Sequence, residues 1–219
     1  MPEEVELSHL LRDRSAVAAD FTGDVLPQHT NESKALYKIK RKLISYLLCE
    51  IAATSVIIFQ YSPLRRANPL MAPMLLSALT AALAQSINQY QRKRFNFSSL
   101  CKFVVWGVIN GTLTELWYDM LRTQFGKPIY RVLVDQAVGA PAFQMIFNML
   151  SSLWETGEIG NIFLASGLRA LKYSYYFWPL FSVCGFMVFP QEVMFPAYCC
   201  ANLVWNLILS RVLNKAEKI

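Results

Sequence analysis

The residues best placed to do chemistry lie between Thr114 and Pro141. Glu115, Asp119 and Arg122 follow one another at spacings of four and three, and Arg131 and Asp135 sit four apart beyond a Gly126-Lys127-Pro128 break. On helices those spacings set the charges along one face, where they partly neutralise one another. An ionised side chain at the centre of a membrane span costs roughly 2.5–3.5 kcal/mol on insertion scales unless it is paired or wet. A hairpin holding five such groups near its bend is therefore a candidate functional element; the same pattern would also serve an interfacial loop with solvated charges. Asp135 most needs a partner. Arg131 is the local candidate, with Lys172 or Arg211 available through space.

Uncharged polar residues recur at helical spacing around this segment. Ser77, Ala81, Gln85 and Asn88 form one stripe, Gly107, Gly111, Thr114 and Tyr118 a second, and Gln136, Ala140, Gln144 and Asn148 a third. Gly107 and Gly111, four apart, would let two backbones approach closely. Lipid satisfies no amide, so the stripes should face one another or water. They either tie a bundle together by interhelical hydrogen bonds, or line a narrow pathway whose mouth carries Glu115 and Asp119 and favours cations.

The elements that must position these residues are read from composition. Hydrophobic residues make up 54% of the chain and charged ones 16%, against about 45–50% and 25% in soluble domains. The fold class expected is all-α: a polytopic transmembrane bundle of about four core spans plus one or two extra apolar helices. Six apolar segments fit, over residues 43–60, 70–90, 101–121, 132–150, 173–189 and 193–212, and span length requires about 20 residues each. The first is interrupted by Glu50 and could instead lie along the surface. If all six cross, Lys and Arg gather on one side, near Arg41, Arg92, Lys102, Arg169 and Arg211. Only Arg65, Arg66, Arg122, Lys127 and Arg131 are left on the other, as the positive-inside tendency demands. Residues 43–219 thus read as a single transmembrane domain.

Residues 1–42 differ, with seven acidic and seven basic residues and no sustained apolar run. They read as an exposed, partly disordered tail, neither a secretory signal nor an Arg-rich presequence. The basic cluster Lys38, Lys40, Arg41 and Lys42 would meet anionic headgroups. The partners expected are the lipid bilayer and, through this tail or the polar stripes, a second copy or another protein. The five cysteines lie in or beside apolar stretches and read as buried thiols.

Both histidines, His9 and His29, are in the tail. The apolar body therefore has no means of building a Ser-His-Asp or Cys-His nucleophile or a His-containing zinc site. No Gly-rich phosphate loop is present. Flanking Lys and Arg account for the net charge of +6, so nucleic acid is not expected as a partner. The chain reads as a non-enzyme with no cofactor.

An ordered set of residues resembles the signature of the Mpv-seventeen family, also called the family of the twenty-two-kilodalton peroxisomal membrane protein. Trp117-Tyr118 and Leu121 are followed by Asp135-Gln136 and Pro141, then Trp178-Pro179, Phe186 and Pro190, and finally Trp205-Asn206 with Leu209-Ser210. Tyr61, Pro69 and Gln85 match upstream. Thr80-Ala81, Gly185 and Met194 depart from the usual Gly-Asp, Asn and Arg. The resemblance implies a small integral protein of the mitochondrial inner or the peroxisomal membrane, with the mitochondrion slightly favoured. It further implies a channel, often weakly cation-selective, or a membrane organiser. The residues carrying either role would be Gln85, Asn88, Glu115, Trp117, Tyr118, Asp119, Asp135, Gln136, Gln144, Trp178, Pro179, Trp205 and Asn206.

Overall fold

The computed structural model describes residues 34, 36–158 and 161–216, without the side chains of 161–167, 169 and 209–216. All regular structure among the described residues is helical. The elements are α1 (Leu36–Phe59), α2 (Tyr61–Ala67), α3 (Met71–Arg92), α4 (Phe97–Gln124), α5 (Pro128–Val134), a π-turn (Asp135–Gly139), α6 (Ala140–Thr156), α7 (Asn161–Met187) and α8 (Gln191–Ala216). Each apolar segment of the sequence falls on one long helical stretch, the fourth on the continuous α5–π-turn–α6 rod. Two of the helices, α1 and α3, are long and apolar enough to cross a membrane by length and composition.

The packing follows from side-chain size. Pro73, Ser77, Ala81 and Ala84 give α3 a nearly smooth face, each less than 2% exposed. The Gly107–Gly111 pair of α4 lies directly against it. A Cβ on Gly107 would stand 2.5 Å from the Ala78 Cα, and one on Gly111 would stand 2.6 Å from the Pro73 carbonyl. The close approach anticipated from the Gly-xxx-Gly spacing is thus present, and it makes α3–α4 the tightest seam of the bundle. Gln89 fixes the turn between them, donating from Nε2 to the Asn96 carbonyl (2.8 Å) and accepting from the Asn96 N–H (2.9 Å). Asn96 in turn caps α4 by accepting from the Ser99 N–H.

On the other side of α3 lies α8, and α7 packs on α5, α6 and α8. The link from Met187 to Gln191 closes α7 and α8 into a tight hairpin. An aromatic cluster fills the space between α4, α7 and α8, with Tyr118 edge-on to both Phe186 and Tyr198, and Trp178 against Tyr198.

The first helix turns its one acid inward. Leu43, Glu50 and Thr54 are buried against the bundle, and Ser86 of α3 donates to the Glu50 carboxylate at 2.8 Å. Ile44, Leu48, Ile51 and Val56 face outward. A helix lying in the interface would show the reverse, a charged outer face over an apolar inner one. Lys38, Lys40, Arg41 and Lys42, read from sequence as the end of the tail, form its first turns, and Lys42 sits 4.0 Å over the Phe95 ring. Residues 1–33, including both histidines, lie outside the described residues.

Candidate functional site

The candidate site is assembled at the one place where the ladder of α5–α6 changes register. Pro141 has no N–H to continue an α-helical ladder, and just before it the Ala140 N–H reaches back to the Asp135 carbonyl, the wider π pattern. Such turns recur at functional sites. Here the turn presents Asp135 and Gln136 to the interior. Asp135 accepts from Trp117 Nε1 at 2.9 Å, from Ser182 Oγ at 2.8 Å and from Gln136 Nε2 at 3.2 Å. Gly139 makes this possible, because a Cβ there would lie 2.8 Å from Trp117 Nε1 and 2.9 Å from Asp135 Oδ1.

This corrects the partner expected for Asp135. Arg131 instead turns back to cap α4, donating to the carbonyls of Phe125 (2.7 Å) and Gly126 (3.3 Å). Lys172 makes no ion pair with Asp135, and the side chain of Arg211 is outside the description. Three neutral donors hold the carboxylate, and no cation pairs with it among the described residues.

Asp135 opens on a small chamber of about 80 Å³ between α4, the π-turn and α6, α7 and α8. Gln136, Gln144, Asn110, Asn202 and Asn206 supply its polar wall, and Tyr118, Trp178 and Trp205 its aromatic one. Asn110 and Tyr198 exchange hydrogen bonds of 3.0 and 3.2 Å across it. Gln144 donates to Asn148 along α6 (3.2 Å), while Gln136 Oε1 has no protein partner. A chamber of this size has room for a few water molecules.

A second, larger cavity of about 470 Å³ adjoins it toward the α3–α4 turn, and we call it the vestibule. Gln85 and Asn88 line it with Asn148, and its charged wall consists of Arg92, Arg94, Lys102 and Glu155. Phe147 and Asn206 belong to the walls of both cavities. Phe147 is braced there by Trp106 and Phe103, with ring centroids 5.1 and 5.9 Å away. Amides of the second and fourth apolar segments therefore line two polar spaces that share Phe147 and Asn206 in their walls.

The acidic mouth expected from Glu115 and Asp119 is not found. Neither residue lines either cavity. Glu115 is buried and paired with Arg65 of α2, not with Arg122. Arg122 reaches Met194 Sδ instead (3.1 Å), and Asp119 is exposed. The cavity that approaches an end of the bundle carries three cations and one carboxylate, the opposite bias to the one expected.

Three relatives carry the comparison. The chain is 23% identical over 175 residues to PXMP2/4 family protein 3 of Dictyostelium discoideum, covering 75% of this chain and 95% of that one. It is 30% identical over 119 residues to the mitochondrial inner membrane protein Mpv17 of Drosophila melanogaster, covering 49% of this chain and 70% of the relative. The chain belongs to the Mpv17/PMP22 family. Protein SYM1 of Yarrowia lipolytica is 30% identical over 106 residues, 47% of this chain and 52% of its own length. No family model and no solved structure matches the chain. At these identities it is a divergent member of that family of membrane proteins.

Part of the Mpv17/PMP22 signature gathers around the chamber. Tyr118, Asp135, Gln136, Trp178, Trp205 and Asn206 line it, and Trp117 stands behind Asp135 as its hydrogen-bond donor. Pro179 lies inside α7, away from both cavities. Asn110, Asn202, Phe147 and Glu155 carry no mark in the sequence reading, and Lys102 figures there only as a membrane-flanking charge. Asn110 and Asn202 nonetheless had a readable signal, since each lies four residues before a residue marked there, Thr114 and Asn206.

Proposed function

We propose that this Mpv17/PMP22 family member is a conduit for small polar solutes, without enzymatic chemistry or a cofactor. Its path runs from the vestibule, past Phe147, into the Asp135 chamber. The observation that carries this reading is the shared wall. Phe147 and Asn206 border both spaces, with Gln85 and Asn88 lining one and Gln136 and Gln144 the other. The structure then corresponds to a closed state, with Phe147 as the constriction, and hydrophobic constrictions are a common gate.

Six crossings, with both ends of the described chain on one side, suit this reading. Arg92, Lys93, Arg94 and Lys102 cluster at one end of the α3–α4 hairpin, and large apolar side chains such as Leu48, Phe59, Leu116, Met145 and Leu180 face outward. The mitochondrial inner membrane, for which the fly relative is named, is the slightly favoured location over the peroxisomal membrane.

A second reading is a non-conducting organiser that binds partners through its tail or outer faces. The close bracing of Phe147 by Trp106 and Phe103 favours it. Planar-bilayer recording separates the two. With Phe147→Ala, unitary conductance should rise several-fold over the unaltered protein, and Phe147→Trp should lower it. Folded protein that conducts nothing in any of the three forms would favour the organiser.

A further inference from the structure

We propose that the vestibule binds a small anion bearing carboxylate or phosphate groups, and that Glu155 is a built-in competitor for that site. The existence of the site stands on the cavity alone; its place on a transport path rests on the conduit reading. The cavity, about 470 Å³, is within the range of small-molecule pockets. Its ionised lining includes Arg94 and Lys102, with the Glu155 carboxylate on Lys102.

Lys102 is the centre of the site. It is 7% exposed, and its Nζ is bonded to a Glu155 carboxylate whose own side chain is 63% exposed. A buried ammonium requires a counter-anion, since removing its partner leaves an uncompensated charge. The partner it has is weakly held. Exposed carboxylates lose little on returning to water, and Glu155 lies in the last turn of α6 (Ala140–Thr156), where the helix dipole disfavours negative charge. An incoming anion can therefore take the place of Glu155 on Lys102 while gaining Arg94, which lines the same cavity. Deeper in, Asn88 is 93% buried and its Oδ1 has no protein partner, so it is an acceptor for a hydroxyl or protonated group on the same solute.

The test uses the full chain in nanodiscs. In phosphatidylcholine discs, citrate and inorganic phosphate are titrated against chloride at matched ionic strength, following heat of binding and thermal midpoint. Glu155→Gln should bind at least tenfold more tightly than the unaltered protein, and Lys102→Gln should abolish binding. A parallel arm replaces the soluble anions with cardiolipin-containing discs. Stabilisation of Glu155→Gln confined to that arm, and lost with Lys102→Gln, supports the site and identifies the anion as a lipid headgroup. Should Glu155→Gln fail to fold, Arg94→Gln in the otherwise unaltered chain should weaken binding several-fold. Affinity unaffected by residues 155 and 102 in both arms overturns the proposal. Anion binding that follows this pattern in a protein that never conducts removes the conduit and keeps the site; conductance without it does the reverse.

Discussion

Gly107→Ala should leave little folded protein. The added methyl would sit 2.5 Å from the Ala78 Cα, 2.6 Å from the Ser77 carbonyl and 2.9 Å from the Ala78 N–H. All three are backbone atoms in the middle of α3, so no rotamer change relieves the contact. Overpacking a core typically costs about 1–3 kcal/mol; a clash against backbone belongs at or above the top of that range. The seam also has no compensating hydrophobic drive, because helices in lipid associate through close packing. Gly111→Ala meets the Pro73 carbonyl at 2.6 Å and should behave alike. Gly126→Ala is the control, with nothing within 4 Å of its Cβ. Fluorescence-detected size exclusion and thermal midpoint in detergent should separate the first two from the third. A Gly107→Ala protein as monodisperse and stable as Gly126→Ala would contradict the packing described here.

Glu115→Ala is the second large effect. It strands Arg65 and the half-buried Arg122, which also acts on Glu115 electrostatically. Breaking a buried pair by removing one partner costs about 3–5 kcal/mol. Arg65→Met should cost less, because Arg122 remains to offset the carboxylate and Arg65 is itself 24% exposed. In a double-mutant cycle, Arg65→Met with Glu115→Met should lose less than the sum of the single losses. Since neither Glu115 nor Asp119 lines a cavity, Asp119→Asn should leave ion selectivity unchanged. A shift in selectivity would return these acids to the path and undo the placement of its mouth at Arg94 and Lys102.

The sequence was most legible where one helix's own pattern decides the outcome. Apolar run length marked the six helical stretches, and the four-residue spacing of Gly107 and Gly111 marked the α3–α4 seam. The amide stripes pointed inward because Gln136 and Gln144 have no partner in lipid. Legibility failed where partners come from distant segments. Glu115 has Asp119 and Arg122 on its own helix, yet it pairs with Arg65, fifty residues earlier, because the fold brings that side chain of α2 to α4. Lys102 and Glu155 meet only because α4 and α6 pack side by side. Asp135 looked as if it needed a cation; neutral donors on α4 and α7 met the need, with Gly139 leaving room for Trp117. The place of Phe147 in both cavity walls was invisible, since one more Phe in an apolar helix carries no mark of what lies on either side.

The most direct measurement is the rate at which a small charged thiol reagent, added from the Arg94 side, modifies a single cysteine at position 88 or 144 in an otherwise cysteine-free chain. Asn88→Cys, in the vestibule, should react readily. Gln144→Cys, in the chamber, should react slowly and speed up at least tenfold when Phe147 is also changed to Ala. A Gln144→Cys rate indifferent to residue 147 would mean that the two cavities are not one path.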